Sequence, residues 1–399
     1  MIEIHVPASK SITQRALLIA ALSARPCRVR NPLDCHDSEA MRRGLRQLGV
    51  GIDDSQPECW IIQPPAVFSV PSQRLNLGNA GTAVRFLAGL APHVPGIYVI
   101  DGDKAMHTRP MPGLLDALKS LGVDIEELGN AGCPPIRFES LGPEVSSSRP
   151  QLVNTRLSGS SQELSALLMS GCRNSDGLEI EISGTLPSRP YVAITIDVLA
   201  SFGIKVSWQA DNEIRVFPGT PQCDEYVVEG DWSSASYPLA ASWLTKKPVS
   251  LQNVNDESVQ GDSAVVRLIR QLDEPGARRM DLGDTPDLVP TIAACALFSS
   301  EPTEITNVAH LRIKESDRIG GLVNELSKLG AKIEEKPDGL VVYPASENLR
   351  AATLDPTNDH RLAMAFGLVS LRLPKLDIRD RDCVAKSYPS FWEMLELFR

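Results

Sequence analysis

Two patterns of apolar and polar positions recur along this chain. In the first, an amphipathic helix is followed by a glycine and a short apolar run, as in GLRQLGVGI, ALKSLGVDI, VLASFGIKV and ELSKLGAKI. The glycines are Gly49, Gly122, Gly203 and Gly330, and each suits the left-handed conformation that ends a helix. The residues after each glycine predict a strand.

The second pattern is a helix that is apolar on nearly every side and opens with polar residues. It occurs six times, as KSITQRALLIAAL from Lys10, NAGTAVRFLAGLA from Asn79, SSQELSALLMSG from Ser160, SSASYPLAASWL from Ser233, DLVPTIAACALF from Asp287 and HRLAMAFGLVSL from His360. Helices that are apolar all round are buried, and Ser, Asn or Asp at their starts caps free N–H groups. We therefore expect six buried helices.

A fixed spacing joins the two patterns into one repeat. The interval between helix start and glycine is 43 residues in three copies: Asn79 to Gly122, Ser160 to Gly203 and Asp287 to Gly330. The same interval from Ser233 falls on Gly276, in a shortened fourth copy, and from His360 it passes the end of the chain. Each full copy therefore predicts a strand, a buried helix, a second strand, an amphipathic helix and a hairpin.

Six copies predict an α/β (α+β) fold of two domains with three repeats each. We assign residues 11–229 to an N-terminal, upper domain, and residues 1–10 with 230–399 to a C-terminal, lower domain. The alternating segment 2–6 predicts a half-buried strand, which we expect to complete the truncated sixth copy. The chain then crosses between domains near Lys10 and near Gly230, where we expect a hinge.

Composition narrows the class of protein. The sequence has no run of about 18 apolar residues that would span a membrane and no signal peptide at its start, so we expect a cytoplasmic protein. Eight scattered cysteines without a C-x-x-C motif predict reduced structural thiols, and the six histidines form no metal-ligand cluster. A net charge of −10 argues against a nucleic-acid partner.

Polar residues that a core helix does not need gather at the starts of the buried helices and in the loops before the amphipathic helices. They are Lys10, Ser11, Arg15, Asn79, Gly81, Thr82, Arg85, Ser160, Ser161, Gln162, Asp287, His360 and Arg361 at the helix starts, and Asp37, Arg109, Ser188, Arg189, Lys314, Glu315, Arg318 and Lys386 in the loops. Helix N-termini bind phosphate and carboxylate, and Arg and Lys strengthen such binding. Each motif is weak by itself, but their recurrence predicts a site for small, highly charged anions.

Ten motifs follow one another along the chain: SKSITQRALL, LGNAGTAVRFL, HTRPM, SGSSQELSALLMS, SRPYVAIT, EGDWSSASYPLAA, TPDLVPTIA, RIKESDRI, NDHRLAMAF and CVAKSYPSFW. In this order they closely resemble the 5-enolpyruvylshikimate-3-phosphate synthase family of enolpyruvyl transferases, over essentially the whole chain. The resemblance implies two domains, each of three βαβαββ units with buried helices in an inside-out α/β barrel-like arrangement, joined by a two-stranded hinge.

The resemblance also implies the reaction. Shikimate 3-phosphate and phosphoenolpyruvate would give 5-enolpyruvylshikimate 3-phosphate and phosphate, on the pathway to chorismate and aromatic amino acids, with no metal or organic cofactor. The residues matching the shikimate 3-phosphate contacts are Lys10, Ser11, Arg15, Ser160, Ser161, Gln162, Ser188, Asp287 and Lys314. Those matching the phosphoenolpyruvate contacts are Lys10, Gly81, Arg109, Gln162, Arg318, Arg361 and Lys386.

This reaction requires two acid–base groups, because the 5-hydroxyl loses a proton and the enol carbon gains one. We assign Asp287 as the base and Glu315 as the acid, with Lys10 assisting proton movement. The Arg and Lys side chains would stabilise a tetrahedral intermediate that keeps a carboxylate and a phosphate. The partners we expect are these two small-molecule substrates, bound by a monomer.

Two positions depart from the family pattern. His310 stands where an amide is usual, beside Lys314, and Phe86 stands where many members have Pro, close to the site of the inhibitor glyphosate. Gly81 is the usual residue of glyphosate-sensitive members, so Phe86 leaves sensitivity open.

Three alternative functions fit these features less well. The sister enolpyruvyl transferase acting on UDP-N-acetylglucosamine carries a reactive Cys in the loop corresponding to residues 104–113, which is KAMHTRPMPG here. A non-catalytic binding protein would lack a catalytic carboxylate, but Asp287 and Glu315 are both present. An RNA 3′-phosphate cyclase-like enzyme would need a basic face, which the net charge of −10 disfavours.

Overall fold

The structure, a computed structural model, describes residues 1–142, 150–156, 160–345 and 347–399. The chain folds into two compact domains. The N-terminal domain is Ser9–Val228, and the C-terminal domain combines Met1–Ala8 with Glu229–Arg399. Among the described residues, none of the helices has both the length and the apolar character needed to cross a bilayer.

Twelve α-helices lie within the described ranges. They are α1 Lys10–Ala21, α2 His36–Gln47, α3 Gly81–Ala88, α4 Pro112–Ser120, α5 Gln162–Gly171, α6 Arg189–Ser201, α7 Trp232–Thr245, α8 Val265–Gln271, α9 Val289–Ala296, α10 Arg318–Lys328, α11 His360–Ser370 and α12 Phe391–Glu396. The odd-numbered helices are buried along nearly their whole length, whereas the even-numbered helices bury one face. The six predicted buried helices are thus confirmed.

Strands are short and numerous. They are β1 Ile2–His5, β2 Cys27–Arg30, β3 Gly51–Gln56, β4 Cys59–Gln63, β5 Leu75–Asn76, β6 Gly96–Asp101, β7 Asp124–Glu127, β8 Ile136–Ser140, β9 Gln151–Arg156, β10 Leu178–Ser183, β11 Val206–Ala210, β12 Glu213–Val216, β13 Glu225–Val227, β14 Val249–Gln252, β15 Arg278–Asp281, β16 Thr303–Thr306, β17 Ile333–Lys336, β18 Gly339–Val342, β19 Thr353–Leu354 and β20 Asp377–Ile378.

Four sheets share one topology. Their strand orders are β13-β2-β4-β3, β5-β6-β8-β7 and β9-β10-β12-β11 in the N-terminal domain and β15-β16-β18-β17 in the C-terminal domain. The first two strands of each are parallel and the rest pair antiparallel. Two reduced sheets, β1-β14 and β19-β20, are parallel pairs. The predicted α/β fold of six related units is confirmed, and the fourth and sixth units are the reduced ones.

The glycines that the first pattern placed at helix ends adopt positive φ angles. The values are 91° at Gly49, 83° at Gly122, 80° at Gly203, 93° at Gly276 and 88° at Gly330. An L side chain is disfavoured in this region, so glycine ends the helix at little cost. In the shortened fourth copy α8 already ends at Gln271, so Gly276 has a similar φ angle but does not end the helix.

The N-terminal strand was expected to complete the sixth copy, and this is wrong. β1 pairs with β14 of the fourth copy, with Ile2 opposite Val249 and Ile4 opposite Leu251. β13, which precedes the fourth buried helix, pairs with β2 of the first copy instead. The first and fourth copies have therefore exchanged their leading strands, and the sixth copy supplies its own leading strand, β19.

Candidate active site

The start of α1 carries a partly buried ion pair. Lys10 is the first residue of this helix, and its Nζ lies 3.0 Å from the carboxylate of Asp37, in the first turn of α2. Ser9 caps the helix through a long hydrogen bond from the Ile12 amide, at 3.5 Å. Lys10 therefore projects from a fixed helix start beside a negative charge that restrains its ammonium group.

Arg15 lies one turn further along α1 and is buried. Its guanidinium donates to the Thr195 hydroxyl at 2.7 Å, the Ser165 hydroxyl at 3.3 Å, and the carbonyls of Tyr191 and Ser11 at 3.1 and 2.9 Å. Burial lowers its pKa to about 10. Within the described residues no carboxylate forms an ion pair with it, so neutral groups alone hold this cation.

Gly81 begins α3 directly beneath the Arg109 guanidinium. A Cβ added at Gly81 would lie 2.7 Å from Nη2 of Arg109, so only glycine permits this approach without movement. Arg109 donates to the Asn79 side-chain oxygen at 3.1 Å. Arg85 donates to the carbonyls of Gly81 and Pro110 at 3.1 and 3.0 Å, and thereby ties the helix start to the loop that carries Arg109.

The third buried helix joins the second through a polar contact. Gln162, the first residue of α5, donates from its side-chain amide to the Thr82 hydroxyl at 3.0 Å. Ser160 accepts from the Gln162 backbone amide at 3.3 Å, and Ser161 is buried beside it. Ser188 precedes α6 in the left-handed conformation, with φ at 54°.

Asp287 lies between two arginines of the C-terminal domain. Its Oδ1 is 3.0 Å from Nη1 of Arg318, and its Oδ2 is 2.5 Å from Nη2 of Arg361. Asp287 occupies the single turn of 3₁₀ helix that leads into α9, whereas Arg318 and Arg361 open α10 and α11. Three helix starts of this domain thus meet at one carboxylate.

Arg318 is the centre of the network. It also contacts Glu315, at 2.8 Å, and Asp359, at 2.8 Å. Burial alone lowers the pKa of Arg318, but the surrounding carboxylates outweigh this and hold its pKa above the ordinary value. The second oxygen of Glu315 lies 3.4 Å from the Lys386 ammonium. Ion pairs therefore connect five predicted site residues of this domain into one cluster: Asp287, Glu315, Arg318, Arg361 and Lys386.

Lys314, the remaining predicted residue of this domain, follows the 3₁₀ helix Ala309–Ile313, which contains His310. Burial, and then the charge of Lys314, lower the pKa of His310 to about 4. The imidazole is therefore neutral at pH 7, so it resembles an amide in charge at this position.

Sequence reasoning missed two carboxylates that support these clusters. Asp359 caps α11 by accepting from the Arg361 amide at 2.9 Å, while it also binds the Arg318 side chain. Glu163 is fully buried and accepts from the Leu114 amide at 2.8 Å in the first turn of α4. The signal for Asp359 was present, because Asp precedes a buried helix in the motif NDHRLAMAF. Glu163 has no such signal, because its partner is distant in sequence.

In the described part of the chain no group of three His, Cys, Asp or Glu side chains is arranged to hold a metal ion. All eight cysteines are free thiols, and burial raises the pKa of Cys172 to about 12. The ion pairs described above place ammonium, guanidinium and carboxylate groups close together.

Comparisons with known proteins agree on one family. The family model for EPSP synthase (3-phosphoshikimate 1-carboxyvinyltransferase) matches residues 2–395. The 3-phosphoshikimate 1-carboxyvinyltransferases of Methanospirillum hungatei and Syntrophobacter fumaroxidans are 34% and 36% identical to this chain; the alignments cover 98% and 99% of it, and 94% and 96% of those proteins. A solved EPSP synthase from Acinetobacter baumannii shares the fold with a TM-score of 0.79 at 21% identity, covering 99% of this chain and 95% of that one. This chain belongs to the EPSP synthase family, the 3-phosphoshikimate 1-carboxyvinyltransferases.

Proposed function

We propose that this chain transfers the enolpyruvyl group of phosphoenolpyruvate to the 5-hydroxyl of shikimate 3-phosphate and releases phosphate. Family membership over nearly the whole length carries this conclusion. The cluster of Arg318, Arg361 and Lys386 supports it, because these cations gather where helix starts already favour anions.

The proposed phosphoenolpyruvate contacts of the C-terminal domain are occupied by the protein's own carboxylates. Asp287 pairs with Arg318 and Arg361, and Glu315 pairs with Arg318 and Lys386. The carboxylate and phosphate of the substrate compete for the same N–H groups. Substrate binding would therefore release Asp287 and Glu315 from their cations as the substrate replaces them.

This exchange suits acid–base catalysis. A carboxylate released from two guanidinium groups becomes a stronger base, and Asp287 then takes the proton of the 5-hydroxyl. Glu315, released from Arg318 and Lys386, takes up a proton more readily and delivers it to the enol carbon while the 5-oxygen bonds to the adjacent carbon. When phosphate leaves, Glu315 takes a proton back from the methyl group, the double bond re-forms, and Asp287 passes its proton to the departing phosphate. Arg318, Arg361 and Lys386 stabilise the negative charges of the tetrahedral intermediate.

The N-terminal domain contributes the remaining proposed contacts. Gly81, Arg109, Gln162 and Lys10 would bind phosphoenolpyruvate. Ser11, Arg15, Ser160, Ser161 and Ser188 would bind shikimate 3-phosphate, as would Lys10 and Gln162, together with Asp287 and Lys314 of the C-terminal domain. We further propose a cytoplasmic monomer with domain boundaries near residues 10 and 230.

Phosphate release tests the proposal. The purified protein is incubated with phosphoenolpyruvate and shikimate 3-phosphate, with each substrate alone, and with UDP-N-acetylglucosamine in place of shikimate 3-phosphate. We expect phosphate only with the first pair, and addition of glyphosate measures the inhibitor sensitivity that Phe86 leaves open. A folded protein that releases no phosphate from the first pair would defeat the proposal, and release with the UDP-sugar would favour the sister activity.

A further inference from the structure

The fourth buried helix, α7, lies against the charged cluster, although its sequence predicted little chemistry there. Tyr237 of this helix has no exposed surface, and its ring packs edge-on against Phe391 at 5.4 Å and lies 6.4 Å from Tyr388. Its hydroxyl group is buried and makes no hydrogen bond of normal geometry to any described residue.

The surroundings of this hydroxyl are charged. The charged groups that influence it are the guanidinium of Arg361, most strongly, then the carboxylate of Asp287 and the guanidinium of Arg318, and the Arg361 side chain also approaches the hydroxyl as a hydrogen-bond donor. Burial raises the pKa of Tyr237 to about 12, so the group keeps its proton at neutral pH. It can therefore accept from a guanidinium and donate one hydrogen bond of its own.

In the structure Arg361 is directed to Asp287. One of its terminal nitrogens contacts the Asp287 carboxylate and the other contacts the Asp287 carbonyl at 3.4 Å. If a substrate anion draws this guanidinium away from Asp287, the side chain needs another group to fix its orientation. The Tyr237 hydroxyl is the neutral acceptor that lies beside it.

We propose that Tyr237 is a positioning residue whose hydroxyl holds Arg361 when the guanidinium leaves Asp287 to bind phosphoenolpyruvate. The inference rests on the proposed function, because it takes Arg361 as a contact of that substrate. It gives α7 a part in substrate binding and accounts for a buried hydroxyl whose approach to Arg361 falls short of a hydrogen bond of normal geometry.

The chain offers a matched control in Tyr98 of β6. This residue is also buried, stacks on Phe138 at 5.6 Å, and has a hydroxyl without a hydrogen bond among the described residues. Burial is the sole cause that raises its pKa, so no charged group influences it. Tyr98→Phe and Tyr237→Phe therefore remove equivalent hydroxyls from a neutral and a charged environment.

The test compares steady-state kinetics and thermal unfolding of the two variants with the unsubstituted enzyme. We expect Tyr237→Phe to lower kcat/KM for phosphoenolpyruvate about tenfold, mainly through KM, since a hydrogen bond to a charged group is lost. Its KM for shikimate 3-phosphate and its Tm should equal those of Tyr98→Phe. The Tyr98→Phe variant should in turn match the unsubstituted enzyme.

Equal kinetics for the two variants would overturn the inference. So would a loss in Tyr237→Phe that affects both substrates equally and accompanies a lower Tm, because that pattern indicates a packing role. Absence of phosphate release by the unsubstituted enzyme would instead defeat the proposed function, so the two failures are distinguishable.

Discussion

Asp287 has two roles, one electrostatic and one in catalysis. It balances the charges of Arg318 and Arg361 in the free protein, and we assign it as the base that takes the 5-hydroxyl proton. Asp287→Ala or Asp287→Asn should lower kcat by about 10²–10⁴, the usual contribution of a general base, with a smaller change in both KM values. Steady-state kinetics measure this, and Asp284→Asn, at an exposed carboxylate three residues earlier, is the control. Turnover near that of the control would contradict the assignment.

Gly81 is a residue where one methyl group should change substrate binding. A Cβ there would lie 2.7–3.0 Å from the Arg109 guanidinium atoms. That guanidinium is the end of a flexible side chain, so we expect it to move and the fold to survive. Gly81→Ala should raise KM for phosphoenolpyruvate several-fold and leave KM for shikimate 3-phosphate and Tm nearly unchanged. An unaltered KM for phosphoenolpyruvate would show that Arg109 does not contact this substrate.

The types of the site residues were accessible from the sequence, but their partners were not. Helix starts with Lys, Arg and Ser in apolar surroundings mark Lys10, Arg318 and Arg361 as unusual. The sequence could not indicate that Arg15 would donate to Thr195 and Ser165, because these partners lie 180 and 150 residues away. It also missed Tyr237, since an aromatic residue in an apolar helix is normally part of the core.

At the scale of elements, the glycines that end helices are a regular feature of the repeat. Gly203 has a φ of 80° and would place a Cβ in open space, so only backbone strain opposes a side chain there. Gly203→Ala should lower the free energy of unfolding by about 1–2 kcal/mol, and Gly203→Asn by less, because Asn tolerates this conformation. Urea unfolding of both variants measures the difference. Equal stability of the Ala variant and the unsubstituted protein would exclude strain as the reason for glycine.

Periodicity predicted which elements form, but not which strands pair. The apolar pattern located six buried helices, and the 43-residue interval linked four of them to a glycine, because helix ends and apolar faces are determined locally. Pairing of β1 with β14 instead of a strand of the sixth copy depends on an exchange between copies more than 200 residues apart. An alternating strand with one apolar face is compatible with any sheet edge.

At the scale of the whole molecule, His93 should make the protein sensitive to acid. Burial, opposed by a hydrogen bond to the Ser170 carbonyl, lowers its pKa from 6.5 to about 4. Between pH 4 and pH 6.5 the unfolded chain binds a proton at His93 that the folded chain does not. The contribution of His93 to the free energy of unfolding is therefore complete above pH 6.5 and falls by about 3 kcal/mol towards pH 4. The lowered pKa of His310 acts in the same direction. Asp262, in the same C-terminal domain as His310, acts in the opposite direction, because burial and then the charge of Asp287 raise the pKa of Asp262 to about 7.

His93, in the N-terminal domain, has no such opposing group among the resolved pKa shifts there. A raised carboxyl pKa stabilises the folded protein below the ordinary pKa value, and this stabilisation disappears as pH rises to the folded value, so Asp262 offsets part of the pH dependence of the whole protein. Asp262 is common to the His93 variant and the unsubstituted protein, so its contribution cancels when their slopes are compared. His93→Gln should therefore flatten the pH dependence of urea unfolding between pH 7 and 4.5, whereas His36→Gln, at an exposed histidine, should not. The quantity compared is the slope of the free energy of unfolding against pH. A loss of packing in His93→Gln that is the same at every pH does not affect this slope. An unchanged slope would mean that folding does not lower the pKa of His93.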